Sequence, residues 1–561
     1  MTWLQHLFAD TPEAALFLSL ALGYAIGKIQ FGRFQLGGVG GSLLAAVFVS
    51  QVGVQIDDGV KSVMFALFIY AVGYNIGPQF FSSLNKSSLR EFALAVFLAA
   101  ASLVTVVVLA RAFHLDKGLA AGLASGALTQ SAILGTAGDA IARLPLPPAQ
   151  IATLQSNLAV ACAVTYVFGS LGAIIVCANI LPRFMGQDLK IAAEEEEARL
   201  RVDGLPTGSG GIPALPPLIG RAYSVTAGAG RTVADIERAA DESVTVEWVV
   251  RDDKIMDLTP GLVLQPDDHV AVIGRREEVF VAQKRIGPEA ASVGGPPLVL
   301  RAREAVFARK NMNRATVAEV KERLEPQMRH GVYIESITRM GRPIPVLPGT
   351  EIMNGDVITY YGADGDTARA AKVTGYPLAS DNKTDFVLLG IGIVFGLVIG
   401  SFVAHIGGFS LTLGPGGGAL LSGLIFGWAR GKRPMIGESA PAARKLLQDF
   451  GLAAFVAVVG LNSGRQALGT IGERGLTIIV LGLIVTFLPL LLTMLFGRFV
   501  LGYRNAAIFA GALAGSRSAN PAFGVVLDRA GSSVPTVAFA ITYALSNVLL
   551  TLLGPLIVAL V

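Results

Sequence analysis

Arg517, within Gly515-Ser-Arg-Ser-Ala-Asn-Pro521, carries the sharpest chemical meaning in the chain. It lies in an apolar stretch, 505–528, where a bare guanidinium costs several kcal/mol unless it faces water or an anion. Its planar fork suits a carboxylate, bidentately; the competing reading is a hairpin-base arginine bonded to backbone carbonyls, or one snorkelling to the interface. Ser516, Ser518 and Asn520 flank it, and Thr129, Gln130 and Ser131 hold the matching place in a similar stretch, 118–141. A break between two short helices leaves N–H groups that attract anions, and Pro521 suits a first helical turn. Hydroxyls in membrane helices also serve simply to join helices. As a group, these tip residues are expected to contact a substrate.

Asn75 and Asn462 sit in matching Gly-x-Asn-x-Gly segments, 73–77 and 460–464. That pattern predicts either local unwinding or a packing kink. Tyr166 and Tyr543, each following a Thr, have a ligand-binding reading and a packing one. Arg465 is expected at an outer surface. Asp139 and Asp528 close the two odd stretches, either coupling protons or pairing with Arg143 and Arg529. No phosphate loop, G-x-S-x-G, H-E-x-x-H or paired carboxylates accompany these residues, and Gly228-Ala-Gly230 lacks a strand-turn-helix frame. The five histidines are scattered. Neither enzymatic activity nor ATP-driven pumping is expected, and no cofactor or metal; the energy must come from a gradient.

The elements holding these residues are membrane helices. Of 561 residues, 52% are hydrophobic and 15% charged, against roughly 25% charged in a soluble domain. The mean hydropathy is +0.59, which excludes an ordinary soluble enzyme. Of 86 charged residues, 55 fall within 183–383, so two apolar halves flank one soluble insert. The net charge of +4 is small, and without a basic stripe no nucleic-acid partner is expected. Cys162 and Cys177 are fifteen residues apart in one apolar run, about 22 Å along a helix and too far for a disulfide. The N-terminus lacks a basic n-region, so the first apolar run is expected to be a retained helix.

Runs near 13–31, 36–54, 60–81, 92–113 and 150–181 predict five spans in the first half. Runs at 384–405, 409–428, 450–468, 475–500 and 534–561 predict five in the second. Lys28, Arg33, Lys86 and Arg90 place their turns in the cytoplasm, and Arg183 and Lys190 do the same for the insert. Six crossings before the insert would put it outside. The parity is met if 118–141 enters and returns as a re-entrant hairpin, and 505–528 does so from the opposite side.

The halves also echo each other. Gly38-Val-Gly-Gly matches Gly414-Pro-Gly-Gly, Gly73–Gly77 matches Gly460–Gly464, Gly126-Ala-Leu-Thr-Gln-Ser matches Gly511-Ala-Leu-Ala-Gly-Ser, and Ala163-Val-Thr-Tyr matches Ala540-Ile-Thr-Tyr, at offsets of 376, 387, 385 and 377. With five crossings per half the second copy is inverted, the plan of many secondary transporters. Inside the insert, 244–274 aligns without gaps to 332–362 at an offset of 88, and alternation in both predicts strands. The expected domains are a first transmembrane repeat (1–182), an acidic linker (183–204), two α+β modules (205–292 and 293–380) and a second transmembrane repeat (381–561).

These motifs and their order resemble the aspartate–alanine exchanger family of bacterial antiporters over nearly the full chain, with tandem modules that look like RCK-C (TrkA-C) domains. The resemblance implies exchange of aspartate for alanine, or export of a dicarboxylate such as succinate, across the inner membrane. It further implies an electrogenic cycle that supports decarboxylation. The glycine-rich surfaces GGVGG and GPGGG suggest a hairpin-bearing core sliding elevator-like on a scaffold, with dimerisation through scaffold and insert. The RCK-C-like modules would bind a small regulator or hold the dimer together. An RCK-regulated ion channel is the contrasting class, disfavoured because no carbonyl filter such as TVGYG is present.

Overall fold

The computed structural model describes residues 6–8, 10–31, 34–35, 37–84, 88–200, 218–239, 244–290, 299–378, 384–406, 409–412, 414–432 and 441–561. Arg33, Lys86 and the Gly/Pro-rich linkers 205–217 and 293–297 lie outside the described residues, as does the side chain of Arg465. The chain divides into two compact units, Met1–Ala198 with Ser380–Val561, and Arg199–Ala379.

In the first half, α1 (Pro12–Gly27) and α2 (Gly38–Val49) are joined through a two-stranded ribbon, Gln30–Phe31 with Phe34–Gln35. Then come α3 (Asp58–Ser83), α4 (Leu89–Ala112), α5 (Lys117–Ala127), α6 (Ser131–Ala142) and α7 (Pro148–Ile175). A five-residue π turn, Val176–Ile180, and one more helical turn prolong α7 to Met185, and α8 (Leu189–Leu200) follows.

The other unit holds two antiparallel sheets. The first contains β1 (Leu218–Ser224), β2 (Val244–Arg251), β3 (Lys254–Ile255) and β4 (His269–Arg275) in the order β1-β4-β2-β3, with helices α9 (Val233–Ala239) and α10 (Arg276–Ile286). Tyr223, Val246, Val249, Val272, Val279 and Ile286 form its core. The second contains β5 (Leu300–Phe307), β6 (Val332–Arg339), β7 (Arg342–Ile344), β8 (Val357–Ala363) and β9 (Gly375–Pro377), with α11 (Val317–Arg323) and α12 (Asp364–Thr374). Its order, β9-β5-β8-β6-β7, is the first sheet's order plus an edge strand.

A bidentate ion pair recurs in both modules. Arg251 holds Asp268 at 2.7 and 2.8 Å and reaches the Val263 carbonyl, while Gln265 N–H donates to the same carboxylate. Arg339 holds Asp356 at 2.8 and 2.7 Å and reaches the Glu351 carbonyl, while Met353 N–H donates to it. Burial alone would raise the Asp268 carboxyl, but the Arg251 bond and the Gln265 N–H hold it below the ordinary carboxylate range.

The second half contains α13 (Phe386–Ser401), a ribbon of Val403–Ile406 with Phe409–Thr412, α14 (Gly414–Lys432), α15 (Pro441–Phe499), α16 (Ala506–Ser516), α17 (Asn520–Ala530), α18 (Pro535–Thr551) and α19 (Leu553–Leu560). Among the described residues, six helical stretches are long and apolar enough to cross a membrane, namely Asp58–Phe81, Leu89–Ala112, Pro148–Met185, Ala442–Gly464, Arg474–Phe499 and Pro535–Leu560. This is a polytopic membrane protein. The two odd stretches are both hairpins of short helices, α5–α6 and α16–α17.

The runs 450–468 and 475–500 correspond to two separate candidate spans, Ala442–Gly464 and Arg474–Phe499, yet the single helix α15 continues unbroken through both. The polar gap around Glu473 and Arg474 lowers hydropathy without breaking a helix, because it contains no proline and its glycines still allow helical bonding. Of the two readings of the Gly-x-Asn-x-Gly segments, unwinding is not found: α3 and α15 are continuous at Asn75 and Asn462. Their glycines serve close packing instead. A Cβ on Gly73 or Gly77 would meet the Leu420 or Leu424 carbonyl of α14.

Candidate functional site

Helix α5 lies on α7 through a stripe of glycines. A Cβ on Gly118, Gly122 or Gly126 would collide with the carbonyls of Leu154, Leu158 or Cys162 in turn. Small residues that let backbones touch in this way are the usual means of helix association in lipid, where apolar burial gives no driving force. In the second hairpin, Gly511 and Gly515 of α16 meet the Pro535 and Phe539 carbonyls of α18 in the same manner.

Both hairpins then turn with one geometry. Thr129 N–H donates to the Gly126 carbonyl and Gln130 N–H to the Ser125 carbonyl, each at 2.9 Å. Ser518 N–H donates to Gly515 at 2.8 Å and Ala519 N–H to Ala514 at 2.9 Å. This 5→2 and 6→1 pairing is a Schellman motif, which places one residue in the left-handed region, normally glycine. Here those residues are Thr129 (φ 54°) and Ser518 (φ 56°). Geometrically Thr129 therefore corresponds to Ser518, whereas the GALTQS/GALAGS match pairs it with Ala514, one helical turn away. A β-branched residue in this region is an outlier that costs of order 1–3 kcal/mol. Thr129→Gly is accordingly expected to stabilise the protein by about 1 kcal/mol, read as a raised thermal-unfolding midpoint. An unchanged or lowered midpoint would mean that the contact of its side chain near Gly169 outweighs the strain.

The two tips meet beside Gly169. Hairpin α5–α6 has its base at the start of α7, where Asn157 donates to Asp116 at 2.8 Å. Hairpin α16–α17 has its base at the far end of α7. There Arg529 donates to the Ala178 carbonyl and to Asn179 Oδ1, at 2.6 and 2.9 Å. It does so at the π turn, where the regular bonding pattern is interrupted, so Arg529 is not the partner of Asp528. The hairpins thus approach from opposite ends of α7.

Between the tips lies Arg517, 1% exposed. Its guanidinium donates to the Thr486 carbonyl of α15 at 3.0 Å, to the Gly169 carbonyl of α7 at 3.1 Å, and to the Ala127 carbonyl of the opposing tip. No carboxylate among the described residues pairs with it, and its Nε and the neighbouring Ser518 Oγ are buried without a hydrogen-bond partner. Both second helices, α6 and α17, begin without a side-chain cap.

The remaining residues singled out from sequence separate into groups. Asn520, exposed at the start of α17, donates to the Tyr543 hydroxyl at 3.3 Å. Tyr543 stacks on Phe539, which stacks on Phe523. Gln130 reaches Thr551 of α18 at 3.4 Å. Ser131 opens α6 at the same tip. Ser516 is buried and turned back onto the Leu513 carbonyl. Tyr166 is on α7, one residue after Thr165, whose hydroxyl a Cβ on Gly126 would strike.

Asn75 and Asn462 belong to the packing of α3 and α15 rather than to the tips. The Asn462 amide is engaged on both sides by the backbone of Ile56, at 2.8 Å each. Asp139 accepts from Gly416 N–H at 3.3 Å, at the start of α14, where a helix N-terminus favours negative charge.

Sequence reasoning missed Gly169 and Thr486, whose carbonyls accept from Arg517, along with Ser546, Asn547 and Thr551 of α18. The polar positions of TYALSNVLLT, recurring at helical spacing in an apolar helix, were the available signal for the last three. Both cysteines are free and buried.

The family model Asp-Al_Ex, described as Predicted Permease Membrane Region, matches residues 15–182 and 388–559, both membrane halves without the insert. A protein of Zymomonas mobilis subsp. mobilis, called an uncharacterized transporter, is 48% identical over 100% of this chain and 99% of its own. Similarly named proteins of Francisella tularensis subsp. tularensis and Bradyrhizobium diazoefficiens are 37% and 36% identical, over 98% and 100% of this chain and 97% and 99% of theirs. No solved structure matches.

Proposed function

The chain belongs to this permease family, and on that premise we propose that it is a secondary transporter exchanging L-aspartate for L-alanine across a bacterial inner membrane. The substrate is held between the two hairpin tips. Arg517, Ser518, Thr129, Gln130 and Ser131 form the centre of the site, with Asn520 and Tyr543 at its edge and Ser516 and Tyr166 behind. Asn75 and Asn462 act on the scaffold side. The two halves are inverted repeats, and the core built from α5–α7 and α16–α18 moves elevator-like against α1–α3, α13 and α14. The RCK-C-like insert is cytoplasmic and the assembly is a homodimer.

The observation that carries this reading is Arg517, a buried cation with no carboxylate partner among the described residues, set between two strained and uncapped tips. Carbonyl dipoles offset only part of the cost of burying such a charge. An anionic substrate offsets the rest, and its carboxylate has the unengaged Nε and Ser518 hydroxyl to meet.

The test is uptake of labelled L-aspartate into proteoliposomes loaded with L-alanine, beside empty vesicles. Uptake only with internal alanine supports exchange. Equal uptake into empty vesicles overturns exchange in favour of a uniporter or channel. Transport of succinate in place of aspartate moves the assignment to a dicarboxylate exporter. Thr129→Gly should slow this uptake several-fold even as it raises stability, the trade-off expected where strain serves function.

A further inference from the structure

The face between the two modules of the insert holds a cluster of charges away from the substrate site. His330, just before β6, bonds Glu237 of α9 through Nε2 at 2.9 Å, tying the second module to the first. The same Glu237 oxygen accepts from Val246 N–H at 2.8 Å. Arg369 of α12 donates to the His330 carbonyl at 2.7 Å and pairs with Asp366 at 2.6 Å. Tyr333 of β6 donates to the Ile273 carbonyl of β4 at 3.3 Å, a second strut between the modules.

Facing this cluster is Glu247. The register of β2 against β4 runs from Val246–Val272 directly to Trp248–Ala271, so Glu247 is the extra residue of a β-bulge. Bulges re-aim a side chain at the cost of ladder pairing. The other module has the same bulge at Glu335, skipped between Ser336 and Ile334 in the pairing of β6 with β8. The two copies have diverged in use. Glu335 is exposed, whereas Glu247 is partly buried and its Oε1 has no hydrogen-bond partner. Three carboxylates, those of Glu237, Glu247 and Asp366, thus converge on His330 and Arg369. Arg329 adjoins His330 in the chain, and Asp235 and Arg238 on α9 pair with each other at 3.0 Å.

We propose that this face is a proton-operated joint, closed when Glu247 and His330 both carry a proton and loosened when both lose it. At low pH a neutral Glu247 and a cationic His330 leave two charged carboxylates balanced by two cations. At high pH three carboxylates face one another with Arg369 as their cation, and the His330–Glu237 bond loses its charge.

Both titrations act in the same direction. Burial, then the Asp366 carboxylate, pushes the Glu247 carboxyl up to about 7. The Glu237 bond raises His330 above its ordinary value against the opposing effect of burial. A group whose closed-state value is raised stabilises closure at low pH and loses that contribution as pH rises through it. For Glu247 the window runs from the ordinary carboxylate range to about 7, and for His330 it lies above 6.5.

The experiment is hydrogen–deuterium exchange of the full chain in nanodiscs at pH 6 and pH 8, corrected for intrinsic rates. It follows 244–251 and 330–339, with β1 as reference. Wild type should lose about tenfold protection in both segments on going to pH 8, with β1 unchanged. Glu247→Gln, a neutral isostere, should lose clearly less protection than wild type at pH 8, keeping only the part that follows His330. His330→Gln should be loosened already at pH 6. Equal pH dependence in wild type and Glu247→Gln overturns the proposal, as does wild-type protection that does not change.

Discussion

Arg517→Lys is expected to reduce aspartate–alanine exchange by about 100-fold, roughly 2.7 kcal/mol of lost stabilisation, while the protein still reaches the membrane. Lysine keeps the charge but replaces a rigid five-donor fork with a compact ammonium. The fork bonds carbonyls on three helices at once, Thr486 of α15, Gly169 of α7 and Ala127 of α5. An ammonium on a flexible stem cannot reproduce that span and also meet a carboxylate. Arg517→Ala is a harsher variant, since each buried carbonyl left without a donor costs about 1–3 kcal/mol. A comparison of substrates separates two roles. If Arg517 meets the extra negative charge of aspartate, the lysine variant should lose aspartate uptake far more than alanine–alanine exchange. Equal loss of both would make it a structural staple between the tips and remove it from the substrate.

The second large effect lies in the insert. Asp356→Asn should destabilise the second module by about 3–5 kcal/mol, because it leaves Arg339 buried without its counter-charge. Asp268→Asn should cost markedly less in the first module. The geometry of the two pairs is the same, but the Arg339 side chain is 1% exposed and that of Arg251 is 20% exposed. Water can therefore take over part of what Asp268 supplies. Limited proteolysis of the full chain at 37 °C reads the difference: Asp356→Asn should be cut within 300–378, and Asp268→Asn should stay largely intact within 218–290. Equal resistance of the two would refute the assignment of the penalty to burial.

The hairpins were legible because small and polar residues in an apolar run cannot face lipid, and because span parity required a return. The tip residues followed from the same signal. Arg517 had two readings, a substrate ligand and a hairpin arginine bonded to backbone carbonyls; which carbonyls accept from it was not legible, since individual backbone acceptors leave no mark on sequence. The Gly-x-Asn-x-Gly segments left unwinding and packing both open because glycine signals both flexibility and close approach. Here Gly73 and Gly77 admit the carbonyls of α14, and only the neighbouring helix distinguishes the two cases. That the two spans 450–468 and 475–500 share the one continuous helix α15 was not legible for a similar reason, as polarity ends an apolar stretch without ending a helix. The offset of 88 within the insert already aligned Arg251 with Arg339 and Asp268 with Asp356, but nothing in the alignment says that each arginine reaches its own aspartate. The bulges at Glu247 and Glu335 were invisible for a related reason, since a strand's alternation does not reveal which residue its partner skips.

The uncompensated charge of Arg517 has an electrical consequence. In the proposed exchange the hairpin core crosses the membrane field with its substrate, and Arg517 crosses with it. Aspartate, with a net charge of −1, cancels that charge, so this residue contributes nothing to the voltage dependence of the aspartate-loaded step. Alanine has no net charge, so the alanine-loaded step carries the arginine as a full positive unit. A full crossing of one charge is worth about 2.3 kcal/mol per 100 mV. The membrane potential would then act on one leg of the cycle through a charge that belongs to the protein rather than to the cargo.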